Sequence, residues 1–299
     1  MNPEPLSPGL WGILATPFHG PDLSVDLASL GRQVQLFREL PAAGVVALGV
    51  FGEGAALDSR EQRDVVEAVV QQGDGLPVVV GISARSTAPA VEQARLAVEA
   101  AGQNLAGLMV QINGARPQLL AQHFSAIFEA TGVGIVAQDY PLVSGVHITS
   151  DQILDTLRRC PFIVAVKSEA PPTAAAIAHL TGGTQVPIFG GLGGVGLLDE
   201  LAAGAAGAMT GFSRPEALLA AIEGWNAGGM AAAHEAFARW LPLANFEAQP
   251  GIGLALRKEA FRRRGIFEEA DVRPPMPKMP ASLGPILQQH LVVLERTNV

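Results

Sequence analysis

Lysine is scarce in this chain: Lys167, Lys258 and Lys278 are the whole supply, and Tyr140 is the one tyrosine. Lys167 directly follows the apolar run Phe162-Ile163-Val164-Ala165-Val166. An ammonium at the end of a buried strand is costly unless it is paired or gives up its proton. As a neutral amine it can attack a carbonyl and form a Schiff base. The structural alternative is a buried ion pair with Glu169, which the two-residue strand period puts on the same face. Position alone leaves both readings open. Lys258 lies on a helical stretch among Arg257, Arg262, Arg263 and Arg264, and Lys278 in a proline-rich tail, so both read as solvated surface.

Two glycine loops could hold an anion. In Gly49-Val50-Phe51-Gly52-Glu53 the backbone N–H groups near Phe51, Gly52 and Glu53 are candidates for a substrate carboxylate. Gly191, in Gly190-Gly191-Leu192-Gly193-Gly194, and Met209, at the end of a later apolar run, join them as substrate-binding candidates. Tight turning between strand and helix is the competing use of the same glycines. Gln138 precedes Asp139-Tyr140-Pro141 at another strand end. It does not titrate, but it can hydrogen-bond a substrate oxygen or orient water. The histidines are scattered without ligand spacing, His123 reads as a helix-packing residue, and Cys160 is the single cysteine. Neither a metal site, a disulfide nor a GxSxG nucleophile elbow is expected, and no cofactor is called for.

Elements must carry these residues to one place. Short runs rich in Val and Ile begin at Gly12, Val45, Pro77, Ala106, Val133, Phe162, Val186 and Ala206. From Val45 onward they recur at roughly 20- to 32-residue steps, about one strand–turn–helix unit each. Little polar alternation within a run means burial on both faces, as in a parallel sheet. The segments between are amphipathic, with Asp26, Ser59 and Ser150 suited to cap them. An α/β fold follows, a (β/α)8 TIM barrel over residues 1–225 with a C-terminal helical extension over 226–299 packed on it. Reacting groups of such a barrel sit at the carboxyl ends of its strands, where Lys167 and Gln138 fall.

With Lys+Arg 20 against Asp+Glu 28, the net charge of −8 offers no basic footprint for nucleic acid or an anionic membrane. The N-terminal residues lack the pattern of a secretory signal, and the stretch from Ala170 to Leu198, free of charge, is broken by prolines and glycines unsuited to a spanning helix. A cytoplasmic protein acting on a small molecule is the expectation.

Thr16-Pro17-Phe18, Leu48-Gly49-x-x-Gly52-Glu53, His123-Phe124, Pro141 with Ser144-Gly145-Val146, and Lys167 together resemble the dihydrodipicolinate synthase / N-acetylneuraminate lyase family, from about Gly12 to Arg273. The resemblance implies class I aldolase-type chemistry, with Lys167 forming a Schiff base to pyruvate or another 2-oxo acid or sugar-acid derivative. It also implies a homo-oligomer, a tetramer or a dimer. Several family positions differ. Val50-Phe51 stands where a Thr-Thr pair is usual, and Gln138-Asp139 takes the place of the Tyr-Asn pair that carries the catalytic tyrosine. Tyr140 falls two residues late, Val143 replaces the arginine that binds the second substrate, and Ile112-Asn113-Gly114-Ala115 replaces a tyrosine-bearing segment.

These departures are similar to those of a divergent branch rather than dihydrodipicolinate synthase itself. They favour a lyase acting by aldol cleavage, condensation or dehydration on a less hydroxylated or bulkier substrate. Glu53, Asp139, Glu169 and the substrate's own carboxylate are the groups left to move protons. The alternative is a regulatory barrel that binds a 2-oxo acid without turning it over.

Overall fold

A strand buried on both faces needs apolar residues at consecutive positions, and Val78–Ile82 is buried at every one. In the computed structural model, which describes residues 3–296, this pattern closes into a barrel of parallel strands. They are β1 (Gly9–Ile13), β4 (Gly44–Ala47), β5 (Val78–Ile82), β6 (Leu105–Gln111), β7 (Ile135–Asp139), β8 (Ile163–Ser168), β9 (Ile188–Gly190) and β10 (Gly207–Thr210). A small hairpin of β2 (Phe18–His19) and β3 (Ser24–Val25) follows the first strand. The helices in chain order are α1 (Leu27–Arg38), α2 (Ser59–Gly73), α3 (Thr87–Ala101), α4 (Pro117–Thr131), α5 (Pro141–Ser144) and α6 (Ser150–Arg159). After them come α7 (Thr173–Gly183), α8 (Leu197–Ala202), α9 (Pro215–Phe237), α10 (Leu241–Glu247), α11 (Gly253–Arg263) and α12 (Gly284–Arg296).

Strand alternation divides the core into two layers. Trp11, Ile13, Val46, Val79, Met109, Val136, Phe189 and Met209 fill the barrel interior. Leu10, Val45, Val80, Leu108, Ile135 and Ile188 face outward against the helices. This is the expected (β/α)8 architecture, and helices follow the barrel at its C-terminal end. No helix among the described residues is long and apolar enough to cross a membrane.

Local details depart from the sequence expectation. The first strand lies earlier than the run beginning at Gly12. It ends at Ile13, and Leu14 and Ala15 stay buried beyond it, Ala15 beneath Leu254, Ala255 and Phe261 of the C-terminal helices. Burial by the extension prolongs the apolar run past the end of the strand. Asp26 caps α1 through the Ser29 N–H. In α2 and α6 the cap is instead the residue before the expected serine. Asp58 with Glu61 and Thr149 with Gln152 form reciprocal capping boxes, leaving Ser59 and Ser150 as first helical residues. Helix α9 breaks at Gly228 and Gly229, whose backbone angles are non-helical.

Lys258 overturns its surface assignment. Its side chain is 0% exposed and ion-paired with Glu53. Nζ also donates to the Asp271 carbonyl at 2.8 Å and lies 4.3 Å from the centre of the Phe18 ring. The other face of this site is closed by Arg273, whose N–H donates to Glu53 Oε1 at 2.9 Å and whose guanidinium sits 4.5 Å from the same ring and forks onto Glu61. Burial pulls the Lys258 ammonium down to about 8 against the opposing pull of Glu53. Lys278, by contrast, is solvent-exposed as expected and pairs with Asp271.

A buried pair is most costly when broken on one side, because the remaining charge has no partner. Lys258→Met is therefore expected to destabilise the fold by about 3–5 kcal/mol, read as a lowered midpoint in urea denaturation. Adding Glu53→Gln should recover part of the loss. A single variant within about 1 kcal/mol of the parent would show that this pair does not fasten the extension.

Candidate active site

Lys167 is the next-to-last residue of β8, where it pairs in register with Gln138 of β7 on one side and Phe189 of β9 on the other. Parallel register brings these strand ends level, so Lys167 and Gln138 meet at the carboxyl mouth of the barrel. Lys167 is 6% exposed. Nζ lies 3.1 Å from Glu169 Oε2, the pair foreseen from the strand period. The same oxygen accepts from Gln138 Nε2 at 2.7 Å, and Oε1 accepts from the Leu192 N–H at 3.3 Å. The Glu169 backbone N–H donates to Asp139 O at 2.8 Å, which extends the β7–β8 ladder by one residue and holds the carboxylate over the mouth.

Gly191 belongs to this arrangement in a way the sequence did not suggest. A Cβ there would stand 2.3 Å from Glu169 Oε1, so the missing side chain makes room for the carboxylate. Met209 is 0% exposed and belongs to the barrel's interior layer. Phe51 packs against that interior layer, with its ring over the Gly211 backbone. The N–H groups of Phe51 and Gly52 have no partner among the described residues, whereas that of Glu53 donates to the Val50 carbonyl at 3.1 Å. Glu53 is thus removed as an anion-binding donor, and its carboxylate is committed to Lys258 and Arg273.

Asp139 alternates with Gln138 and faces away from the barrel axis. Burial, with the charge of Glu169, pushes its carboxyl up to about 6, and His147 opposes the shift. Tyr140 begins the turn into α5. Burial and the Glu169 charge push its phenol up while Arg257 pulls it down, so it lies within electrostatic reach of the site despite its register. His123 packs in a helix, as expected, with Nδ1 3.0 Å from the Thr87 hydroxyl. No group of three or more metal-ligating side chains occurs among the described residues.

Residues 7–291 match the dihydrodipicolinate synthetase family over almost the whole chain. The chain belongs to this family. Among similar proteins, 4-hydroxy-tetrahydrodipicolinate synthase of Methanothrix thermoacetophila is 29% identical over 79% of this chain and 80% of its own length. L-2-keto-3-deoxyarabonate dehydratase of Azospirillum brasilense is 26% identical over 91% of this chain and 89% of its own. The dihydrodipicolinate synthase structure from Rhodopseudomonas palustris superposes with a TM-score of 0.89 at 30% identity, covering 98% of this chain and 99% of that one. The family member described here has the class I aldolase-type fold and is an enzyme of the lyase type.

Two charged residues of this member escaped the sequence reading. Arg257 of α11, in the basic stretch around Lys258, is only 13% exposed and stands 5.4 Å from the Phe51 ring centre at the barrel mouth. Glu200 of α8 is 1% exposed, and neither carboxylate oxygen has a hydrogen-bond partner of standard geometry. It fills the space behind Gly190, where a Cβ would overlap Oε2. Burial raises its carboxyl to about 7, the nearby Thr173 hydroxyl opposes the shift, and the charge of Glu169 adds to it. No local pattern marks either position.

The Glu200 shift has a definite sign. Its folded proton affinity exceeds the unfolded one, so between about pH 4.5 and 7 the folded state binds more protons and stability falls as pH rises. Glu200→Gln should flatten that slope, removing a loss on the order of 3 kcal/mol in urea titrations across this range. An unchanged slope in the variant would contradict the assignment.

Proposed function

We propose that this protein is a Schiff-base lyase acting on a 2-oxo acid through Lys167. The observation that carries the reading is the joining of Lys167, Glu169 and Gln138 around one carboxylate oxygen at the barrel mouth, in a chain of the dihydrodipicolinate synthetase family. A lysine attacks a carbonyl only as the free amine. Glu169 Oε2, 3.1 Å from Nζ, is in reach to take the proton. The amine then adds to the 2-oxo carbon, and the resulting carbinolamine loses its hydroxyl as water on receiving that proton. The iminium accepts the electron pair released when a neighbouring C–C bond breaks or a proton is removed from the adjacent carbon. In the second case loss of a hydroxyl further along the chain completes a dehydration.

Glu169 is also the base favoured for the later proton steps. Glu53 is bound by Lys258 and Arg273, and Asp139 points away from the axis. Gln138 orients Glu169 and cannot titrate. The N–H groups of Phe51 and Gly52, without partners of their own, support a place for the substrate's 1-carboxylate. Val50 and Phe51 favour a less hydroxylated or bulkier substrate, and Gln138 at the tyrosine position supports a branch distinct from dihydrodipicolinate synthase. A cytoplasmic homo-oligomer, dimer or tetramer, completes the proposal.

Borohydride reduction in the presence of pyruvate and a panel of 2-oxo acids, followed by peptide mapping, is expected to place an adduct on Lys167. Lys167→Ala should abolish it, and Glu169→Gln should slow its formation about 10²- to 10⁴-fold, as for loss of a general acid–base group. Failure of every acid to form an adduct, with thermal stabilisation by one of them surviving Lys167→Ala, would instead support a binding barrel without turnover.

A further inference from the structure

Arg257 is an arginine whose hydrogen-bonding capacity is unused. Its Nε is buried without a hydrogen bond, because the nearest carboxylate oxygen, Glu247 Oε2, stands 3.5 Å away. The terminal nitrogens donate to nothing among the described residues, although the side chain keeps 13% of its exposure. A guanidinium carries five donors in a planar fork that matches a carboxylate. Leaving such a fork desolvated and empty is costly, and the placement of the group shows where a ligand would meet it. Nη2 lies against Gly193 in the turn after β9, where a Cβ would come within 2.2 Å. The same turn supplies the Leu192 N–H to Glu169. The guanidinium also faces the Phe51 ring and feels the charges of Glu247 and Glu169.

One carboxylate, Glu247, stands beside its charge but leaves the donors of the fork unfilled. Arg214, Arg257 and Arg264 stand around Glu216 and Glu247, with contacts of 3.8 Å and 3.1 Å to Glu216 and 3.5 Å to Glu247. Glu247 is further satisfied by the Ser213 N–H and hydroxyl. Glu216 is thus shared by two arginines, whereas Glu247 pairs with Arg257. The neighbouring Glu169 and Glu53 carboxylates are held by Lys167 and Lys258, and neither fills the fork.

We propose that Arg257 receives a second carboxylate of the substrate, so that the ligand class is a 2-oxo acid with an anionic far end. The near end rests on the Lys167 reading given above, and the far end rests on the empty guanidinium.

Calorimetric titration separates the two. The probes are 2-oxoglutarate against 2-oxopentanoate and 2-oxoadipate against 2-oxohexanoate, each pair differing in a terminal carboxylate or methyl. The native protein is expected to bind the dicarboxylate roughly tenfold or more tightly in at least one pair, the effect of one charge-assisted contact. In Arg257→Gln the ratio should fall to about one, and in Arg257→Lys, which retains charge without the fork and serves if the first variant does not fold, the ratio should be intermediate.

No preference in the native protein, binding of neither acid, or a ratio unchanged in the variants would overturn the proposal. Equal weakening of both acids would do so too, since that is the mark of a structural role. Borohydride trapping in the same samples reports on Lys167 alone. Absence of an adduct together with an Arg257-dependent preference would refute the Schiff base and leave the anion site standing.

Discussion

A carboxylate buried at the end of a barrel strand must have its charge balanced and its lone pairs filled, and the geometry of the mouth follows from how this is done for Glu169. Lys167 supplies the charge, Gln138 the short hydrogen bond and Leu192 a backbone donor. Each comes from a different strand or loop, and each is level with the others only because β7, β8 and β9 are parallel and in register. The condition extends to what is missing. A side chain at Gly191 would collide with Oε1, so the residue after β9 has to be glycine for the carboxylate to reach its donors. Burial also makes the arrangement stiff, because each polar group released from this set would be left without water.

The C-terminal helices complete the mouth from above. Consecutive residues of α11 leave the helix in directions about a quarter-turn apart, and Arg257 and Lys258 use this to reach two different regions. Lys258 fastens the loop after β4 through Glu53 and packs on Phe18 of β2, while Arg257 comes down beside Phe51 and the turn after β9. The extension that stabilises the loop thus also delivers a guanidinium to the site. Its backbone break at Gly228 and Gly229 lies inside α9, before the segment that carries these residues.

Much of the barrel was legible because burial on both faces leaves a direct trace, the unbroken run, and the Lys167–Glu169 pair because strand alternation is a local rule. The helix caps were read one residue late in α2 and α6. Serine is a good cap by type, but the deciding feature is the reciprocal bond to the third helical residue, which Asp58 and Thr149 make. Long charged side chains were the hardest to place. Lys258 meets Glu53 across 205 positions of sequence, and nothing near it distinguishes an anchor from a solvated lysine. Glu200 was hidden for the same reason, since its burial is created by Gly190 and the packing of α8.

In the proposed mechanism Gln138 lets the site work without a tyrosine at its register. A titrating side chain at that position would share a proton with Glu169, so the two would exchange it as a coupled pair. The glutamine amide donates to Oε2 and keeps the carboxylate aimed without competing for the proton. In the proposed mechanism a single carboxylate then serves both the amine and the departing hydroxyl, and it does so from one fixed position. Tyr140, held at the start of α5 within the field of Glu169 and Arg257, lies beyond that exchange. Burial and the Glu169 charge favour its neutral form, so what it can bring to the mouth is a hydroxyl that donates to a bound oxygen rather than a base that removes a proton.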